Sequence, residues 1–138
     1  MAISDGQAHF TPRQLLQSDL KSFLQPFSDN NIAILICGDF NETHHDTSDS
    51  FQLAASLGLV DILQQKLGRT DFSTHARNTT NQRIDFALGS PEILPSIHSC
   101  GYQPFKHDFQ SDHRGFYIDL DQSFLGSAIP DIARPSSR

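Results

Sequence analysis

Tryptophan is absent from the chain, methionine occurs once, and there are only 2 cysteines. Two cysteines do not make a disulfide framework, so Cys37 and Cys100 read as small, buried, reduced hydrophobes. Positive charge is also scarce: 10 Lys and Arg stand against 16 Asp and Glu, a formal net charge of −6. That balance excludes a general nucleic-acid coat protein, whose affinity rests on neutralising phosphates. It leaves room for an enzyme that meets phosphate through a metal ion. No apolar run reaches the roughly 18 residues of a membrane span, and the N-terminus lacks the basic-then-apolar layout of a signal peptide. An intracellular protein, nuclear or cytoplasmic, is expected. What the chain does have is phenylalanine, 11 residues of it, within 138 residues that are 37% hydrophobic. That length suits one domain whose core buries roughly two-thirds of the unfolded surface.

Residues 1–10 are polar and aperiodic, a loose lead-in. Thr11-Pro12-Arg13-Gln14 reads as a helix start: Thr11 caps, Pro12 suits the first helical position, and Gln14 completes a capping box. Leu16, Leu20, Phe23, Leu24 and Phe27 follow at helical spacing, which predicts an amphipathic helix over 12–27 laid on a sheet. Ser28-Asp29-Asn30-Asn31 is a turn. Farther on, Phe51 to Leu57 and Leu59 to Leu67 read as two short helices closed by Gly58 and Gly68. From Gln82 to Leu88 the chain alternates, with Ile84, Phe86 and Leu88 on one side and Arg83, Asp85 and Ala87 on the other. This predicts a half-buried strand with an aspartate on its polar face. Pro91 to Pro95 is a helical turn, Ile97 to Phe105 a strand, Lys106 to Arg114 a charged loop, and Phe116 to Leu120 a last strand. Residues 122–138 read as a tail or linker, which leaves 11–121 as the domain.

The chain is organised around Ile32-Ala33-Ile34-Leu35-Ile36-Cys37-Gly38-Asp39-Phe40-Asn41. Its continuous, β-branched apolar run predicts a strand buried on both faces, ending in an aspartate and an asparagine. Ligands of open α/β sheets sit where strands end. Two other segments place polar groups at strand ends: Arg83-Ile84-Asp85-Phe86 and Ser111-Asp112-His113. Taken singly, each has an ordinary reading. Asp39 and Asn41 are good turn residues, Asp85 fits an exposed strand position, and Asp112-His113 fits a capped turn. Three in this order point to a convergent site.

Metal-assisted hydrolysis of a phosphate ester needs such a set. Mg²⁺ takes hard oxygen ligands and keeps several waters, so a few carboxylates and an amide suffice. It stabilises charge on phosphoryl oxygens and on the leaving group. A histidine held in one tautomer by a carboxylate hydrogen-bonds phosphate or moves a proton, and Asp85 is placed to hold His113. His44-His45-Asp46 has the composition of a metal cluster, but adjacent histidines point apart, and a solvated loop is the better reading. Lys66, Arg69, Arg77 and Arg83, with His75, form a locally basic segment that faces either a nucleic-acid backbone or simply solvent.

Gly-Asp-Phe-Asn, Arg-Ile-Asp-Phe and Ser-Asp-His, in this order, resemble the endonuclease/exonuclease/phosphatase superfamily, which includes apurinic endonucleases, DNase I-like nucleases and inositol-phosphate phosphatases. Cys37-Gly38-Asp39-Phe40-Asn41-Glu42 and Arg83-Ile84-Asp85-Phe86-Ala87-Leu88 look most like the endonuclease domains of non-LTR retrotransposons. The resemblance spans about Thr11 to Leu120. It implies that Asp39 orients or deprotonates the attacking water and that Asn41 binds phosphate. Asp85 would orient His113, and His113 would contact the scissile phosphate. The metal, Mg²⁺ or Mn²⁺, would fall to Asp39, Asn41, Asp112 and His113, and the partner would be DNA.

The resemblance also implies that these motifs make up the second half of a domain about twice this length. An early Asn, a metal-binding Glu and a Tyr or His would come from the first half, and Glu42 follows the Asp39 motif rather than preceding it. The expected fold is α/β: half of a four-layer DNase I-like sandwich, a mixed sheet of five or six strands with helices 12–27 and 50–67 on the outer face. The expected function is a Mg²⁺-dependent DNA phosphodiesterase, truncated and weak or inactive alone, whose partner is a missing N-terminal half or a downstream reverse transcriptase domain. Two alternatives are a phosphomonoesterase acting on small or lipid phosphates and a non-catalytic remnant serving as a binding module.

Overall fold

The computed structural model describes residues 10–77, 82–106 and 110–125. The class is α/β, with local signals deciding most element ends. Helix α1 (Pro12–Asp29) begins with the capping box: Thr11 Oγ1 accepts from the Gln14 N–H at 3.2 Å, and the Thr11 N–H donates to Gln14 Oε1 at 2.9 Å. Helices α2 (Asp49–Leu57) and α3 (Ile62–Leu67) end on Gly58 and Gly68, at φ of 67° and 68°, where a side chain would be strained. The expected helix from Leu59 starts three residues late. Val60–Asp61 is instead a short strand, β2, and Asp61 caps α3 by accepting from the Gln64 N–H at 3.0 Å.

The remaining strands are β1 (Leu35–Asp39), β3 (Asp85–Gly89), β4 (Ile97–Tyr102) and β5 (Phe116–Leu120), with a 3₁₀ turn at Pro91–Ser96. Among the described residues there are five strands, but they divide into two sheets, β1-β3-β2 and β4-β5, and every pairing there is antiparallel.

This order exchanges the roles expected of the first and central strands. All five residues of β3 are buried, Asp85 included, because β3 has a neighbour on each edge and packing on each face. By contrast β1 is an edge strand, and the run before it is only partly used: Ile34 is buried, Ile32 is exposed, and so is Cys37. The apolar run conveys hydrophobicity but not which strand is flanked.

Two clusters of apolar side chains cover the three-stranded sheet. On one face Phe86 and Leu88 meet Ile34, Leu24 of α1, and Leu53, Ala54 and Leu57 of α2. On the other, Ala87 meets Ile62 and Leu63 of α3, with Ile93, Ile97 and the inward side chains of β4 and β5 around them. Helix α1 gives less of its stripe than its spacing predicts. Leu24 is buried and Leu20 half-buried, while Leu16 and Phe23 stay about two-thirds exposed (67% and 66%), because contact with α2 and β1 follows the Leu20–Leu24 row alone. Among the described residues no helix is long and apolar enough to cross a membrane.

Candidate active site

Asp39 and Asp85 are direct partners across β1 and β3, at the end of the ladder. Directly opposed residues project from the same face of a sheet, so the register alone sets these two carboxylates side by side. His113 comes from a separate piece of chain. The segment around it pairs with the segment around His75: the Ala76 N–H donates to the Asp112 carbonyl and the Arg114 N–H to the Thr74 carbonyl, each at 2.7 Å. Thr74 then ties this bridge to β3. It is fully buried, and its Oγ1 accepts from the N–H groups of Ile84 and Asp85 at 3.0 and 3.1 Å.

The result is a compact triangle. Nδ1 of His113 lies 3.1 and 3.0 Å from the two carboxylate oxygens of Asp85. Its other nitrogen, Nε2, is 3.9 Å from Asp39 Oδ2. The hydrogen bond to Asp85 is the main reason the imidazole is held above its ordinary range, and the charges of Asp85, Asp39 and Asp112 add to it. Asp39 remains over a third exposed on its side chain (36%), whereas that of Asp85 is 10% exposed. One carboxylate therefore faces solvent while the other serves the histidine.

Behind Asp85 is a largely buried network. The Tyr102 hydroxyl donates to the Asp85 carbonyl at 2.6 Å and accepts from Arg83 Nη1 at 3.1 Å. Burial pushes the phenol up to about 12. Arg83 in turn forms a buried ion pair with Asp61 and lies over the Phe86 ring at 5.3 Å. This corrects the reading of Arg83 as part of a basic face. Of that segment, Arg69 is paired with Asp71, Arg77 stands 3.6 Å from Asp112, and Arg83 is interior.

Asn41 turns back on Asp39. Its φ is 53°, in the left-handed region that asparagine tolerates, and its N–H donates to Asp39 Oδ1 at 2.8 Å. It lines a cleft of about 240 Å³ with His75, Gln82, Ile84 and His113. Asp112 does not join Asp39 and Asp85. Its carboxylate lies 3.3 Å from His75 Nε2 and 3.6 Å from Arg77 Nε, and its own backbone N–H holds it below the usual carboxylate range, with His75 and Arg77 assisting. The His44-His45-Asp46 loop brings no third donor to its histidines among the described residues. His44 packs instead between Phe51 and Phe86, at 5.3 and 5.4 Å. Thr74, Tyr102 and Asp61 escape sequence reasoning, since nothing in their spacing marks them as supports for Asp85.

Among the described residues two groups bring donor atoms within 4.8 Å of one another, Asp39–Asp85–His113 and His75–Asp112–His113. A hard divalent cation fits beside Asp39: the carboxylate is accessible and Asn41 is adjacent. Such a cation is ordinarily held by one or two carboxylates with water and substrate oxygens. Asp85 is less available, because both its oxygens face His113 Nδ1.

A family model described as endonuclease-reverse transcriptase matches residues 7–117. Among solved structures, a 3'-5' exonuclease (NExo) from Neisseria meningitidis is similar, with a TM-score of 0.62 and 20% identity over 76% of this chain. So is a structure of the 3' phosphatase NExo from Neisseria bound to a product DNA hairpin, with a TM-score of 0.59, 20% identity and 76% of this chain covered. The chain spans about half the length of these neighbours, 52% and 51%. No curated protein matches. The likeness of fold, the three motifs and a match over most of the sequence agree: the chain belongs to the endonuclease-reverse transcriptase family of the endonuclease/exonuclease/phosphatase superfamily, with a DNase I-like α/β fold.

Proposed function

We propose that the chain is the nuclease part of a retroelement protein, hydrolysing DNA phosphodiester bonds with Mg²⁺ or Mn²⁺. The observation that carries this reading is the convergence of Asp39, Asp85 and His113 from three separated segments, with Nδ1 of His113 tied to Asp85 and Nε2 directed at Asp39. With Nδ1–H committed to Asp85, a proton taken up at Nε2 gives the imidazolium an N–H that donates to a phosphoryl oxygen or passes it the proton. Asp39, the exposed carboxylate, accepts a hydrogen bond from the attacking water and aligns it. Asn41, on the cleft that His113 also lines, offers its amide to phosphate. Asp39 and Asn41 would hold the cation with substrate oxygens, and the cation supplies charge stabilisation at the phosphoryl group. Asp112 is the weaker ligand candidate, being engaged with His75 and Arg77. Because the similar structures are about twice as long, we read the activity of this chain alone as weak.

A phosphomonoesterase reading is favoured by one observation, the description of a structural neighbour as a 3' phosphatase. Both readings meet in one experiment. Supercoiled plasmid and a 3'-phosphorylated oligonucleotide are incubated with the chain in Mg²⁺ and in EDTA, beside Asp39→Ala and His113→Ala, with circular dichroism on every sample. Metal-dependent nicking lost in both folded variants supports the nuclease. Phosphate release without nicking supports the phosphatase. Folded protein that does neither overturns both and leaves a non-catalytic binding module.

A further inference from the structure

We propose that His75, Asp112 and His113 form a site for a borderline-soft transition ion such as Zn²⁺, which they take in preference to Mg²⁺. One donor atom of each residue lies within 4.8 Å of the others. Nε2 of His75 and Oδ2 of Asp112 are 3.3 Å apart. Ligands held about 2.0–2.2 Å from one tetrahedral ion are themselves about 3.4 Å apart, so this pair already has ligand spacing and His113 needs to close by on the order of 1 Å.

The backbone builds this arrangement. His75 and His113 oppose each other across the isolated antiparallel bridge, with ring centroids 4.6 Å apart, and the bend at Ser111–His113 returns the Asp112 carboxylate to the same side. Asp85 completes it as an outer partner. By accepting from Nδ1 of His113 it fixes the tautomer that leaves Nε2 as a lone-pair donor, the usual support of a metal-bound histidine. Two imidazoles and one carboxylate suit Zn²⁺ or Co²⁺, whereas Mg²⁺ demands oxygen. His75 and His113 also line the cleft shared with Asn41 and Gln82. Arg77 opposes the ion, its Nε 3.6 Å from Asp112 Oδ2 on a side chain 83% exposed.

Bound Zn²⁺ takes Nε2 of His113 away from phosphate and so inhibits the nuclease. That consequence rests on the proposed function; the binding does not. The test is Zn²⁺ calorimetry and Co²⁺ visible absorption on the EDTA-stripped chain in excess Mg²⁺, with circular dichroism of each variant. One equivalent is expected to bind. His75→Ala and Asp112→Asn should each weaken it more than about tenfold, since even outer partners of metal ligands are worth that much. Arg77→Ala, a surface change, should tighten it, and His45→Ala should leave it unchanged. Binding that survives both ligand substitutions, or that excess Mg²⁺ abolishes, overturns the site. If the chain nicks plasmid, Zn²⁺ should stop it in the wild type and not in a nicking-competent His75→Ala; Zn²⁺ that binds without stopping it overturns the inhibition. If the chain never nicks, the binding data still decide the metal site, and the proposed function is what has failed.

Discussion

The imidazole of His113 faces both oxygens of Asp85, at 3.1 and 3.0 Å from Nδ1. An ionised carboxylate only accepts hydrogen bonds, so Nδ1 carries the proton and Nε2 is the nitrogen presented to the cleft. Tautomer and orientation are thereby fixed ahead of substrate binding.

Proton NMR in metal-free buffer should therefore find His113 titrating above about 6.5, the ordinary histidine value. Asp85→Asn should bring it down. The folded value is raised, so the pair stabilises the fold fully below about pH 6.5, and that contribution is lost as pH rises through the raised value. A His113 that titrates identically in both proteins would refute the coupling.

Thr74→Val removes the oxygen that accepts from the Ile84 and Asp85 N–H groups. Orphaned buried donors cost about 1–3 kcal/mol each, so urea denaturation should shift clearly to lower midpoints. Thr74→Ser keeps the oxygen and should recover most of the loss. Equal stability of the Val and Ser variants would mean the hydroxyl is incidental.

Asp61→Asn or Arg83→Met alone should cost about 3–5 kcal/mol, because each strands a buried partner. The double change Asp61→Leu with Arg83→Met should be milder than the sum of the two, since it removes both charges together. Strict additivity in denaturation free energies would count against a coupled pair.

His44 behaves oppositely to His113. Burial lowers its affinity for a proton, and it packs beside Phe51 and Phe86. Its contribution to stability is complete above about pH 6.5 and is lost as pH falls through the lowered folded value. In His44→Phe, which keeps a ring there, thermal melts should lose less on acidification than in the wild type. An unchanged acid response would exclude His44 as its source.

Features with a local cause are legible in the amino-acid sequence itself. The Thr11–Gln14 capping box and the glycines at 58 and 68 need only their own neighbours: the box opens α1 and the glycines close α2 and α3 where expected. The three motif segments are legible too, with Asp39, Asp85 and His113 in them. What the chain does not disclose depends on distant partners. Ile32 belongs to a run that reads as interior, yet it is 52% exposed because it lies ahead of β1, outside the ladder. Arg83 reads as a surface cation, yet Asp61, far away in sequence, draws it inside. Thr74 carries no pattern at all; its value is set by which two amides lie above it.

The register of β1 against β3 has one more implication. Strand faces alternate residue by residue, so a slip of a single position would set Phe40 or Gly38 opposite Asp85 and turn Asp39 toward the α1–α2 side. Such a misaligned chain would keep its strands and its far-ultraviolet spectrum while its carboxylates faced opposite ways. The pairing of two acids at a ladder's end is thus a checksum on folding: a protein can look complete by secondary structure and still be one residue short of a site.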